Sequence, residues 1–145
     1  MPKPLSGYLA YHLTERSRNA VLNRFQPKYP EVICDHITVQ FPATSLDPLP
    51  PPARAKIVGY KDGDGIEALV VELDGTTKRA DGKVYHITLS LDRSKEMKPV
   101  HSNVILAAGD YLTVENIGID VESEFVEAGK GNSSLARSVN RMPSR

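Results

Sequence analysis

Residues 36–41 read His-Ile-Thr-Val-Gln-Phe, and residues 86–91 read His-Ile-Thr-Leu-Ser-Leu. The two stretches share their first three residues and the same alternation of polar and apolar side chains. Alternation with period two marks a strand with one buried face, because successive side chains point to opposite sides of a sheet. In the first copy Ile37, Val39 and Phe41 point one way, and His36, Thr38 and Gln40 the other. In the second, Ile87, Leu89 and Leu91 face a core while His86, Thr88 and Ser90 face away. Each copy thus holds an imidazole and a hydroxyl two residues apart on a polar face, anchored by an apolar one.

The flanking sequence builds an α+β chain around this echo. Gly7 to Leu13 reads as a strand rich in β-favouring residues. Thr14 is placed to cap a helix from about Glu15 to Phe25, which Pro27 and Pro30 end. Val32 to Phe41 is the next strand. Five of the eleven prolines fall between Pro42 and Pro52, a stretch that cannot be a central strand because proline lacks the ladder N–H. Strands follow at Arg54–Tyr60 and Ile66–Leu73, joined by Asp62-Gly63-Asp64-Gly65. A polar hairpin loop over 74–83 leads into the strand Val84–Leu91. A short helix is expected from about Ser102 to Ala108, then strands near Tyr111–Asn116 and Gly118–Phe125.

At 145 residues the chain holds one domain, or two small lobes sharing a cleft. Its 40% hydrophobic and 25% charged residues are those of a soluble globular protein. They argue against a disordered chain, a coiled coil or a collagen. Lys and Arg total 18, as do Asp and Glu, so the net charge is zero and bulk electrostatic gripping of a long duplex is disfavoured. Residues 1–60 nevertheless carry seven cationic against four anionic side chains, residues 61–126 seven against thirteen, and residues 127–145 four against one. This split suggests lobes at roughly 1–60 and 61–126 with a flexible basic tail over 127–145. The single cysteine, Cys34, cannot form an internal disulfide and suits a reducing, cytoplasmic setting. No apolar run approaches the roughly 18 residues of a membrane span, and the MPKPLSG start lacks the apolar region of a signal peptide.

Brought face to face, the two His-x-Thr pairs supply what phosphodiester hydrolysis needs without a metal or cofactor. One neutral imidazole takes a proton from the attacking water or hydroxyl, and the other, protonated, donates to the departing oxygen. The threonine hydroxyls donate to non-bridging phosphate oxygens. An ordinary histidine pKa near 6.5 keeps both forms accessible at neutrality.

His36-Ile37-Thr38 and His86-Ile87-Thr88 resemble the paired HxT/S motifs of the 2H phosphoesterase (LigT-like) superfamily. The resemblance implies two pseudo-symmetric lobes, each an antiparallel sheet backed by helices, with one motif from each lining a central cleft. It implies that His36 and His86 are the acid–base pair and Thr38 and Thr88 the phosphate-binding hydroxyls. The implied substrates are 2′,3′-cyclic phosphates, 2′–5′ linkages or cyclic oligonucleotides, including immune second messengers that viral relatives degrade. The resemblance spans residues 7–126 and is silent on the tail. The expected partner is a small nucleotide or RNA end met by a monomer. A module that sequesters a nucleotide without cleaving it is the alternative.

Other residues have weaker claims. Cys34 precedes His36 by two and, by alternation, shares its face, but is better read as a small filler beside the cleft. His12-Leu13-Thr14 is a third H-x-T at a strand end, where Thr14 serves as the cap. The four histidines, His12, His36, His86 and His101, have no zinc-ligand spacing, so no metal site is expected. The Asp-Gly-Asp-Gly turn lacks the full register of a calcium loop. Tyr8 and Tyr11 point to opposite faces of their strand, and Tyr11 is the one assigned to the cleft. Lys78, Arg79 and Lys83, in the loop before the second motif, are candidates to clamp a second phosphate.

Overall fold

The computed structural model describes residues 4–107 and 109–127. Its elements run β1 (Ser6–Leu13), α1 (Glu15–Arg24), β2 (Glu31–Val32), β3 (His36–Thr44), β4 (Ala55–Asp62), β5 (Ile66–Leu73), β6 (His86–Leu91), a 3-10 turn (Arg93–Lys95), α2 (His101–Leu106), β7 (Leu112–Ile119) and β8 (Val121–Glu127). Two sheets form, of order β3-β1-β8 and β2-β6-β5-β4-β7, and every pairing is antiparallel. The fold is α+β, with few helices and mostly antiparallel strands. No described helix is long and apolar enough to cross a membrane.

The local signals act as their chemistry requires. The Thr14 hydroxyl accepts the Ser17 N–H at 3.2 Å and caps α1. β5 spans the residues expected of it, β1 and β4 fall within two residues of theirs, and β7 and β8 within three. β3 differs, running on through Pro42 to Thr44. It can do so because it lies at the edge of its sheet, where one side of the strand needs no ladder partner.

The expected strand over 32–41 is broken in two, and this break positions the site. Ile33 and Cys34 donate their N–H groups to the carbonyls of Leu89 and Thr88 at 2.9 and 2.8 Å. At Cys34 the backbone turns to φ +43°, and from His36 onward the chain pairs with β1 in the other sheet. The first motif therefore begins two residues after a backbone bond to the second. The sheets do not divide at residue 60 either. β2 and β4 join the five-stranded sheet, while β8 closes against β1. The basic tail expected over 127–145 lies, apart from Glu127, outside the described residues.

Ile37 of the first motif and Ile87, Leu89 and Leu91 of the second are buried as alternation requires. Phe41, expected beside Ile37, is instead exposed at the pocket with His36 and Thr38, because the pairing of β3 with β1 is irregular past Thr38. Ile37 from β3 meets Ile87 and Leu89 from β6 in one core cluster with Leu13, Val21, Leu69 and Val71. Residues of both sheets share that cluster, so the two motif strands are fixed to a common interior. The opposite face of β6 is covered as well: Ala68 and Val70, which pair with Thr88 and His86, pack against Leu106 of α2.

Candidate active site

His36, Thr38, His86 and Thr88 line one pocket of about 430 Å³. Tyr8, Phe41, Arg79, Lys83, Pro99, Val100 and Asn103 also face it, and no carboxylate among the described residues does. The volume falls in the range of small-molecule sites. Strand register explains the contribution from β3. His36 pairs with His12 and Thr38 with Ala10, so both motif side chains lie on the face opposite Ile37 and Tyr11.

His86 is 8% exposed, and its Nδ1 lies 2.8 Å from the Val84 carbonyl oxygen. A carbonyl can only accept, so Nδ1 carries the proton and Nε2 of the neutral ring holds the lone pair. The His86 pKa is lowered to about 4, chiefly by burial, with the Val84 bond opposing and the Arg79 and His36 charges assisting. His36, with 19% of its side chain exposed, is likewise lowered to about 4 by burial, opposed by the Glu124 charge. Its Nδ1 is buried with no hydrogen-bond partner among the described residues. The Tyr8 ring lies 5.5 Å from the imidazole, centroid to centroid.

These burials make a stability prediction. A histidine whose folded pKa lies below its unfolded value of about 6.5 binds protons more readily when unfolded. The stabilising contribution is complete above about pH 6.5 and is lost as pH falls through that value towards 4. The urea midpoint should therefore fall between pH 6.5 and 5, above the ordinary carboxylate range. The slope should flatten in His86→Gln; an unchanged slope would contradict the burial of a neutral ring.

The threonines differ in surroundings. The Thr88 hydroxyl lies 2.8 Å from the Ser102 hydroxyl and also donates to the Pro99 carbonyl at 3.4 Å. Ser102 is buried at the start of α2 and so orients Thr88. Thr38 is tied across the site through its backbone, its carbonyl accepting from Arg79 Nη1 at 3.4 Å.

Arg79 is the basic residue that the loop reading left open, and it is only 4% exposed. The loop is folded: Arg79 N–H donates to the Lys83 carbonyl at 2.7 Å and Gly82 N–H to the Arg79 carbonyl at 2.9 Å. Gly82 takes φ +91° to close that turn, where a side chain would be strained. Asp81 grips the guanidinium with both oxygens, at 3.0 and 2.9 Å, and its own pKa falls to about 2 through that bond. A fixed guanidinium in a pocket suits phosphate better than a mobile one. Lys83 lines the pocket from a more exposed position, 3.8 Å from Asp81. Lys78 is exposed and does not line it.

Tyr11 is not in the pocket. It is 4% exposed in the core, its hydroxyl donating to the Pro51 carbonyl. Tyr8 takes the pocket position, because the face carrying His36 is that of Tyr8, Ala10 and His12. Cys34 does not share the face of His36, since the strand breaks between them; it is a core residue, and burial raises its thiol pKa to about 11. Such a thiol supplies little thiolate at neutral pH. Sequence reading missed Asn103, whose Oδ1 is buried and unpaired among the described residues, and the apolar rim of Phe41 and Val100, 59% and 60% exposed. No periodicity marks Asn103 and Val100, which the short helix α2 and the turn before it carry. Phe41 lies on β3, where irregular pairing with β1 between Thr38 and Gln40 breaks the alternation that put it on the buried face. Among the described residues no three His, Cys, Asp or Glu side chains converge as metal ligands.

No family model, curated protein or solved structure matches this chain.

Proposed function

We propose that the protein is a phosphodiesterase of the 2H type, acting on 2′,3′-cyclic phosphate, 2′–5′ linked or cyclic nucleotides in a cleft between two related lobes. One observation carries this reading: both His-x-Thr motifs line one pocket together with a clamped arginine and a lysine. The bound phosphate sits between the imidazoles. The neutral ring removes a proton from water as its oxygen bonds to phosphorus. The protonated ring supplies a proton to the ribose oxygen as the P–O bond breaks, leaving a phosphomonoester and a free hydroxyl. Thr38, Thr88 and Arg79 donate to the non-bridging oxygens, where negative charge is held in the transition state. Tyr8, Phe41 and Val100 offer apolar surface on which a base can stack or pack.

Turnover on a panel of 2′,3′-cyclic mononucleotides, 2′–5′ dinucleotides and cyclic dinucleotides, with excess EDTA, tests the proposal. Metal-independent product from one of these classes supports it. Binding without product instead favours a sequestering module, and loss of activity in EDTA rejects the metal-free mechanism. Thr38→Ala and Thr88→Ala should each lower kcat about 10²- to 10³-fold, as removal of an oxyanion-hole donor does. The Thr88 change should also loosen α2, because Ser102 loses its partner. An unchanged kcat in both variants would remove the hydroxyls from the mechanism.

A further inference from the structure

The third H-x-T, which the proposed reaction leaves unused, lies directly behind the first. His12 is 3% exposed on β1, opposite His36 in register. Its Nε2 lies 3.6 Å from Asp35 Oδ1, and its Nδ1 3.3 Å from Glu124 Oε2 on β8. The other oxygen of Asp35, Oδ2, stands 3.9 Å from the buried Nδ1 of His36. The four side chains form a chain, His36–Asp35–His12–Glu124, with most of each member withdrawn from water. His86 has no such backing, because its Nδ1 is held by a backbone carbonyl and a guanidinium acts on the ring.

We infer that Asp35, steadied by His12 and Glu124, is a positioning residue for His36: it accepts the Nδ1–H of the imidazolium and makes His36 the donor to the leaving oxygen, with His86 as the base. The assignment of acid and base rests on the phosphodiesterase reading; the difference in proton affinity between the two rings does not. A protonated ring needs an acceptor for its Nδ1–H, and the nearest carboxylate oxygen is within about 1 Å of hydrogen-bond range. The groups facing His36 have opposing effects. Asp35 from the preceding loop and Glu124 from β8, with Glu122 beside His12, favour the charged ring. His86 from β6, and Arg79 and Lys83 from the loop over the pocket, oppose it. Tyr8 contributes a ring face, and His12 holds the two carboxylates in place. A bound phosphate lies between Arg79 and both rings, offsets the cationic side, and leaves the carboxylates to decide which imidazole keeps the proton.

The test is a pH titration of all histidine side chains by NMR in the labelled full-length chain, alone and with a 2′-nucleoside monophosphate. Asp35→Asn and Glu124→Gln keep shape while removing one charge each. His36 should lose affinity for its proton by about one pKa unit or more in Asp35→Asn. It should shift in the same direction in Glu124→Gln, while His86 stays close to its wild-type value. The falling, alkaline limb of the kcat profile should move to lower pH in Asp35→Asn by the same amount, with the acid limb unmoved. A His36 titration unchanged in both variants overturns the inference, as does an equal shift of His36 and His86. An alkaline limb that ignores the His36 shift overturns its role as the acid. Should the His36 shift appear in a protein that cleaves no phosphodiester, the positioning contact stands and the enzymatic reading fails.

Discussion

Replacing either His36 or His86 by alanine is expected to lower kcat about 10²- to 10⁴-fold, the range for a general acid or base. The two rings line one pocket and, in the proposed reaction, act on one phosphate, so their losses should not add. Once one ring is gone the proton path is broken, and the double variant should be little slower than the worse single one. The fold should survive. Ile37 and Ile87, not the histidines, tie the motif strands to the core. Each variant is assayed alongside its circular dichroism and urea midpoint. Full activity in either single variant contradicts the paired mechanism, and multiplicative losses contradict action on a shared phosphate.

The second large effect is on stability and lies outside the pocket. Glu67 is 1% exposed on β5, and three donors converge on its carboxylate. Lys28 N–H and the Tyr60 hydroxyl donate at 2.6 Å each, and the Ser90 hydroxyl donates to the oxygen that Lys28 uses. These bonds tie the segment after α1 to β4, β5 and β6. Glu67→Ala strands all three donors, and at about 1–3 kcal/mol for each buried unsatisfied group the variant should lose about 3 kcal/mol or more. Glu67→Gln keeps one acceptor oxygen and should lose less. Urea denaturation measures both. A loss under about 1 kcal/mol in Glu67→Ala would mean that water reaches the donors, contrary to the burial described.

The sequence was most readable where physical signals were local. Thr14 announces its cap, and the alternation announces that Ile37, Ile87 and Leu89 meet the core opposite the four motif side chains, though not that Phe41 leaves that face or that β6 is covered on both sides. These suffice for the α+β class and for the four motif residues that share a pocket. Signals that depend on the other sheet were not readable. The turn at Cys34 is adopted by a residue with no local preference for positive φ, and it is held by backbone bonds to β6. Extrapolating alternation across that turn put Cys34 beside His36. The choice of Tyr11 over Tyr8 turned on which face of β1 meets the core, which pairing with β3 decides. Nothing in the sequence separates Arg79 from Lys78 and Lys83 as phosphate-clamp candidates, because the folded turn that buries it, closed at Gly82, cannot be seen in composition. Charge by segment did not mark the sheets, because β2 and β8 exchange between the halves of the chain.

The central claim is that two imidazoles address one phosphate. Histidine side-chain NMR of the full chain during titration with a 2′-nucleoside monophosphate tests it most directly. The account predicts that the His36 and His86 ring signals move together along one binding curve and that His101, outside the pocket, does not follow. Movement of one ring alone, or of neither at saturating ligand, would contradict it.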